Sequence, residues 1–295
     1  MRPIGSISVL AIVGTLALAA SASASTLAVN GGVLRFDAAK GETNNVDLRD
    51  GGGQTTVTDS GSIIHAGNGC TQVTPHQASC PLPGGFGDQN VVMTLADRND
   101  AARAFKVSFG RIAIDGGAGN DTISDSPQSG ADVDGGLGDD TITVHPNFGG
   151  SVDVHGGLGR DSITATSASG TVDGGLGDDD IALHTFLNPA SSAAYGGLGD
   201  DTITADLATN MGLIDGGLGD DRIATGPQAV VAQLTGGFVD DRIVSQNGTS
   251  TISGGFGRDF IDGHDEGDTI DCGSGNDRYV EYAGDTVSNC ETPQT

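Results

Sequence analysis

One pattern recurs eight times along this chain and restricts its fold more than any other feature. It reads Gly-Gly-x-Gly-x-Asp-x-Ile, with copies opening at Gly116, Gly135, Gly156, Gly174, Gly196, Gly216, Gly236 and Gly254. The single break is Val239, which stands where the seventh copy should carry its third glycine. Start-to-start spacings are 19, 21, 18, 22, 20, 20 and 18 residues, scattering upward from twice nine. From Gly254 onward the chain runs in strict nonapeptides, and Asp259, Asp268 and Asp277 fall nine apart. The unit is therefore a nonapeptide, and one coil is two of them. Upstream, only one half of each coil keeps the glycine-aspartate turn. The other half, such as Asp125-Ser126-Pro127-Gln128-Ser129-Gly130, is a looser turn that absorbs the extra residues.

Each coil then consists of a strand, a glycine turn, a second strand and a variable turn. The strand after the turn centres on Ile123, Ile142, Ile163, Ile181, Ile203, Ile223, Ile243 and Ile261. The strand before it carries Ile114, Val133, Val154, Val172, Ala194, Ile214, Leu234 and Ile252. Alternate strand residues face opposite sides, so these positions point inward and their neighbours outward. Stacked coils bury two apolar ladders between two parallel sheets, with rungs about 4.8 Å apart. A lone coil has nothing to bury its apolar face against, so stability comes from neighbours. Antiparallel hairpins closed by the Gly-Gly turns are the alternative, but such a turn needs no invariant aspartate four residues later.

The turns carry the chemistry. Glycine adopts positive φ, so a run of glycines bends the backbone sharply and exposes its carbonyls. Calcium takes six to eight hard oxygen ligands from carboxylates and carbonyls. The aspartate closing each turn supplies a charged oxygen: Asp121, Asp140, Asp161, Asp179, Asp201, Asp221, Asp241 and Asp259. Asp268, in the C-terminal nonapeptides, and Asp277, closing a ninth turn from Cys272, join this candidate ligand set. One turn supplies too few oxygens, so an ion is expected between stacked turns. Eight such gaps filled with Ca²⁺ would bring 16 positive charges against a net −26, leaving about −10. Val239, and Arg160 and Arg258 beside the ligand position, are expected to weaken their gaps. Asp115, Asp134, Asp173 and Asp215, preceding the glycines, read as solvated face.

Composition fits this picture. The chain has 295 residues with 50 glycines, 4% aromatics and no Trp, which suits a thin core of Ile and Val better than a jigsaw of large side chains. With 39 carboxylates against 13 Lys plus Arg, nucleic acid is excluded as a partner, because phosphate binding needs clustered cations. Arg2, the apolar run Ile4 to Ala20 and the small residues Ala22-Ser23-Ala24 read as a secretory signal, with a membrane anchor as the alternative. No second apolar stretch follows, so no membrane insertion and an extracellular, secreted location are expected. Four cysteines fit an oxidising compartment. Proximity suggests Cys70 with Cys80 and Cys272 with Cys290, one of three possible connectivities, against free buried thiols.

These residues resemble the RTX, or haemolysin-type, calcium-binding repeats of bacterial exoproteins, and the whole arrangement is similar to short calcium-binding exoproteins of actinobacteria. The resemblance covers roughly Asp115 to Asp277. It implies an all-β, right-handed parallel β-roll (a β-solenoid), Ca²⁺ as the bound ion and the position-six aspartates as ligands. Two departures stand out. Many relatives carry a C-terminal export signal, and many join the roll to a protease, lipase or toxin domain, for which the leading segment here is too short. The expected organisation is a signal peptide over 1–24, an N-terminal β-region capping the solenoid over 25–111, and the β-roll over 112–291. Within the cap, Gly32 to Phe36 and Gln54 to Thr58 read as strands, Gly84 to Val91 as a decayed repeat, and Cys70 and Cys80 as pinning a loop. Cys272 and Cys290 lie one coil apart, which would put their Cα atoms about 5 Å apart on neighbouring rungs.

No His-Glu-x-x-His or Gly-x-Ser-x-Gly is present, and the histidines are scattered, so no enzyme is expected. His264-Asp265-Glu266 falls in a degenerate turn. The expected function is a secreted calcium-binding roll that folds with its ion, with a structural role or one at the cell surface. Two alternatives stand beside it. A polysaccharide-active enzyme would use a solenoid face. An ice- or carbohydrate-binding face would use the outward Thr122, Ser124, Thr141, Thr143, Ser162, Thr164, Thr202 and Thr204, a ladder interrupted by Asp180, Arg222 and Arg242.

Overall fold

Alternation of buried and exposed residues on either side of each glycine turn gives every coil two short strands. The computed structural model describes residues 24–51, 53–81, 90–107, 111–127, 130–146, 150–166, 169–184, 192–206, 210–227, 229–246, 249–264, 267–280 and 282–294. Among them there is no helix, and the strands form two long sheets whose members alternate along the chain from Asn90 onward. The protein is a β-solenoid of the β-roll type.

Both sheets are parallel through the repeat, and the pairing is in register with the glycine turns. On one sheet Ile123, Ile142, Ile163, Ile181, Ile203, Ile223, Ile243 and Ile261 lie side by side in that order. On the other, Ile114, Val133, Val154, Val172, Ala194, Ile214, Leu234, Ile252 and Ile270 do the same. Every one of these side chains is buried. A strand buried on one face repeats with period two, and a slip of one residue would turn the whole apolar set to solvent. A second inward row on each sheet, with Ile112, Ala131 and Val152 on one and Val144, Ala165 and Leu183 on the other, completes a core one side chain deep on each sheet.

The parallel stack already includes Asn90–Thr94 and Ala101–Val107, which pair with Arg111–Asp115 and Thr122–Pro127. Upstream of them the pairing changes character. Ser25–Asn30 and Val33–Asp37 form an antiparallel hairpin, as do Asn45–Gly51 and Gln54–Asp59, and Gln77–Pro81 adds antiparallel to the latter. These hairpins cover the end of both sheets, whose unpaired edges would otherwise invite pairing with other chains. The strands expected near Gly32 to Phe36 and Gln54 to Thr58 are present. The decayed repeat read at Gly84 to Val91 falls mostly outside the described residues, as does the signal segment.

Both disulfides suggested by proximity are formed. Cys70–Cys80 ties the hairpin region, with Cα atoms 4.2 Å apart. Cys272–Cys290 joins neighbouring rungs at the C-terminal end, with Cα atoms 5.1 Å apart. No helix among the described residues is long and apolar enough to cross a membrane.

The outward hydroxyl ladder is short. Thr122, Thr141 and Ser162 stack, but Asp180 is the next rung, and Arg222 and Arg242 follow Thr202. The guanidinium of Arg242 lies over the Phe260 ring, 4.4 Å from its centroid. A different exposed ladder is longer. Leu137, Leu158, Leu176, Leu198, Leu218, Phe238 and Phe256 stand in register along the glycine-turn edge, and all seven are exposed.

Candidate metal centre

Each glycine turn has six positions, and the backbone explains three of them. The second and fourth positions take left-handed conformations, as at Gly117 (φ 92°) and Gly119 (φ 141°). L side chains rarely tolerate these angles. The first position has a different need. A Cβ on Gly135 would collide with Oδ2 of Asp140 in its own turn and with the carbonyl oxygen of Gly156 in the next. The same pair of oxygens, own aspartate and next first carbonyl, converges beside Gly116, Gly156, Gly174, Gly196, Gly216, Gly236 and Gly254. For Gly254 the carbonyl belongs to Cys272. The missing Cβ thus lets two oxygens, from adjacent turns, converge on one point between them.

The aspartates are locked in place by the stack itself. The backbone N–H of each donates to Oδ1 of the aspartate one coil on: Asp121 to Asp140 at 2.7 Å, Asp140 to Asp161 at 2.8 Å and Asp161 to Asp179 at 2.8 Å. The series continues through Asp201, Asp221, Asp241, Asp259 and Asp277 at 2.8 to 2.9 Å. One carboxylate oxygen per residue is therefore spent on the neighbouring turn, and the other faces the point described above.

That second oxygen is the informative one. Oδ2 of Asp121, Asp140, Asp161, Asp179, Asp201, Asp221, Asp241, Asp259 and Asp277 is buried with no hydrogen-bond partner. A buried charged oxygen left without a partner is costly, and it takes up either a proton or a cation. Burial, opposed by the amide hydrogen bond, pushes the carboxyls of Asp121, Asp179 and Asp259 up to about 6. It pushes Asp140, Asp201 and Asp221 to about 7 and Asp241 to about 8, with neighbouring aspartates adding to the rise. Asp161 and Asp277 are raised for the same first cause. Hard oxygens, carboxylate and carbonyl, in stacked spaces without sulfur or imidazole are the donor set calcium prefers. Among the described residues no three acidic, histidine or cysteine side chains converge on one point. This follows from a site that draws one carboxylate from each turn and its other oxygens from the backbone.

The fifth position forms a second, exposed ladder of opposite sense. The amides of Asp139 and Arg160 donate to the side-chain oxygens of Asn120 and Asp139, and those of Asp200, Asp220, Asp240 and Arg258 to Asp178, Asp200, Asp220 and Asp240. This explains why Asn and Asp dominate here: each turn offers an acceptor to the next. The amides of Arg160 and Arg258 donate to the preceding turn, but their side chains offer no acceptor to the next. Arg258 turns back onto Asp240 Oδ2 at 2.7 Å.

Val239 adopts the glycine's conformation, with φ 86°. The turn keeps its register, but the amide of Gly219 reaches Phe238 O at 3.2 Å, against 2.7 Å for the equivalent bond of Gly177. Asp268 lies apart from the column, on the opposite edge. It accepts from the Ser250 amide at 2.7 Å, and the downstream carboxylate in its own stack is Asp285, which accepts from the Asp268 amide at 3.0 Å. Asp115 and Asp134 are exposed, and Asp173 and Asp215 half-buried. Of the triplet at His264, Asp265 and Glu266 lie outside the described residues.

Three buried carboxyls escaped the sequence reading: Asp59, which accepts from Asn44 Nδ2 at 2.7 Å and the Asn45 amide at 2.8 Å, Asp100 and Asp125. Asp100 heads the column: its amide donates to Asp121 Oδ1 at 2.7 Å and its own Oδ1 accepts from Asn44 N at 2.6 Å. Burial lifts it to about 7. The available signal was its position 21 residues before Asp121, one coil, preceded by Asn99 as Asp121 is by Asn120. Asp125 sits in the core ladder between Ala104 and Val144. Both its carboxyl oxygens are buried, and burial, opposed by a hydrogen bond from the Ser126 amide, pushes it well above the usual range.

Comparison with known proteins agrees with the geometry. A family model described as the RTX calcium-binding nonapeptide repeat matches in four copies, at residues 113–124, 194–210, 213–229 and 244–279. The turns at Gly135, Gly156, Gly174 and Gly236 fall outside those matches, yet they carry the same locked aspartate and the same first-glycine space. No curated protein and no solved structure is significantly similar to the chain.

Proposed function

We propose that the chain, four stretches of which match the RTX calcium-binding nonapeptide repeat, is an exported roll whose folding is driven by calcium held between stacked turns. The ligands in this reading are Asp121, Asp140, Asp161, Asp179, Asp201, Asp221, Asp241, Asp259 and Asp277, with first-position carbonyls completing each gap. Asp268 would serve a separate position on the opposite edge. The observation that carries the reading is the row of buried Oδ2 atoms without a hydrogen-bond partner, those from Asp121 to Asp259 each converging with a carbonyl of the next turn beside a first-position glycine. Without an ion, these carboxylates face like charge one rung away in a chain of net charge −26. An ion that binds the folded form and not the unfolded one contributes its binding free energy to folding.

Export is supported by the N-terminal apolar run and by two disulfides. In this reading a leader over 1–24 precedes a capping region over 25–111 and the roll over 112–291. The role is structural or lies in interaction at the cell surface, with a glycan or surface partner, and no catalytic step is assigned to it. Far-UV circular dichroism during a calcium titration tests the reading. Strand signal should rise cooperatively with calcium and collapse in excess chelator at pH 8. An unchanged signal in chelator would falsify it.

A further inference from the structure

This inference rests on the calcium reading above and asks where the ion column stops. The segment Leu95-Ala96-Asp97-Arg98-Asn99-Asp100 contains no glycine, yet it is the turn immediately before the glycine series. Its backbone repeats several of the bonds of that series. The amide of Leu95 donates to Asp115 O at 2.9 Å, as that of Gly116 does to Asp134 O at 2.8 Å. Thr122 N reaches Asp100 O at 2.9 Å, as Thr141 N reaches Asp121 O at 2.8 Å. Asp97 bridges Ala118 as Ala118 bridges Leu137. Ala96 (φ 78°) and Arg98 (φ 80°) take the left-handed angles that glycines take elsewhere. Asp100 Oδ2 is buried without a hydrogen-bond partner, like the column below it.

The gap between this turn and the Gly116 turn therefore has the carboxylate and the carbonyl of an ion site. What differs is the first position. Every downstream turn that opens a gap has glycine there, and a Cβ would run into the two oxygens flanking the space. Here the residue is Leu95, fully buried and part of the apolar core. The other end of the column is closed in a related way. The first position of the last turn is Cys272, fully buried and bonded to Cys290. The Asp277 amide, which would need the aspartate of a further turn, donates to Glu291 Oε2 at 3.0 Å.

We propose that Leu95 and the Cys272–Cys290 pair are the plugs of the calcium column. Leu95 occupies the gap between the Asp100 and Asp121 turns, and the disulfide occupies the space beyond Asp277. The ions of this column are then confined to the eight gaps whose upstream turn begins with Gly116, Gly135, Gly156, Gly174, Gly196, Gly216, Gly236 or Gly254. Asp100 is a cap of the hydrogen-bonded column and holds no ion.

The test is calcium stoichiometry on the full chain, by elemental analysis after equilibrium dialysis against micromolar calcium. Leu95→Gly should bind one ion more than the wild type, and the double change Leu95→Gly with Asp100→Asn should return to the wild-type count. Asp100→Asn alone keeps the Oδ1 acceptor for Asn44 and should leave the count unchanged. A loss of one ion in Asp100→Asn overturns the proposal, because that gap would then be filled in the wild type. So does a Leu95→Gly chain with the wild-type strand signal in calcium and no additional ion. If Leu95→Gly does not fold, the Asp100→Asn count decides. A wild-type chain that binds no calcium removes the underlying function; a wild-type chain that binds normally while the variants fail removes only the plugs.

Discussion

At the scale of the residue, the absent side chain is as informative as the present one. The aspartate at position six keeps its place because its Oδ1 is tied to the amide of the preceding turn, and this leaves Oδ2 for the ion. The first glycine is required for space, whereas the second and fourth positions require left-handed angles. Val239 separates the two requirements. It is a β-branched residue held at φ 86°, where strain of about 1–3 kcal/mol is typical. Its side chain is 52% exposed, so removing it sacrifices little packing. Glycine would relieve the strain at the cost of some unfolded-chain entropy, for a net gain of about 1 kcal/mol. Val239→Gly should therefore raise the thermal midpoint in saturating calcium and lower the calcium concentration needed for half folding. Both are read by circular dichroism, and a lowered midpoint would show that the valine is not strained in the calcium-loaded chain.

At the scale of the element, the coil was legible and its exceptions were not. The spacing of Asp121, Asp140 and Asp161 against Ile123, Ile142 and Ile163 was enough to align neighbouring strands, because a fixed distance from turn to apolar residue leaves one register that buries the ladder. The doubled nonapeptide also explained why Asp268 stands on the other edge from Asp259 and Asp277. The turn ending in Asp100 was missed because Ala96 and Arg98 adopt angles normally signalled by glycine, so the pattern vanished while the backbone persisted. Asp125 was invisible for the opposite reason: an aspartate before Ser126-Pro127 reads as turn chemistry, and only the stack reveals that it occupies a core rung. The Cys272–Cys290 bond was foreseeable from its separation of 18 residues, one coil. Closing a loop of that length typically contributes about 3 kcal/mol. It holds Thr286–Ser288 against Thr269–Ser274, the last rung of one sheet. Replacing both cysteines by alanine should leave the middle coils intact and release this rung. Hydrogen exchange should accelerate at the amides of 286–288 and remain slow at Ile163 and Ile181. Uniform acceleration through the stack would mean that the bond supports the whole solenoid and not its end.

At the scale of the molecule, the column makes stability depend on pH in opposite senses with and without calcium. In the calcium-free fold, burial raises Asp121, Asp140, Asp179, Asp201, Asp221, Asp241 and Asp259 to between about 6 and about 8, whereas an unfolded aspartate titrates near 3.9. Between those limits the folded chain binds more protons than the unfolded one, so its stability falls as pH rises. The contribution is fully present below about pH 4 and is lost progressively as pH passes through 6 to 8. The growing net negative charge acts in the same direction. Calcium reverses the dependence, because an ion needs the carboxylate form and protons compete with it for the same oxygen. The calcium-free chain should therefore resist urea better at pH 5 than at pH 8, and the stabilisation added by a fixed calcium concentration should be larger at pH 8 than at pH 5. Urea unfolding at the two pH values, with chelator and with calcium, separates the two effects in four curves. Calcium-free stability that rises from pH 5 to pH 8 would show that the buried Oδ2 atoms are not the groups taking up protons when the fold is emptied of its ions.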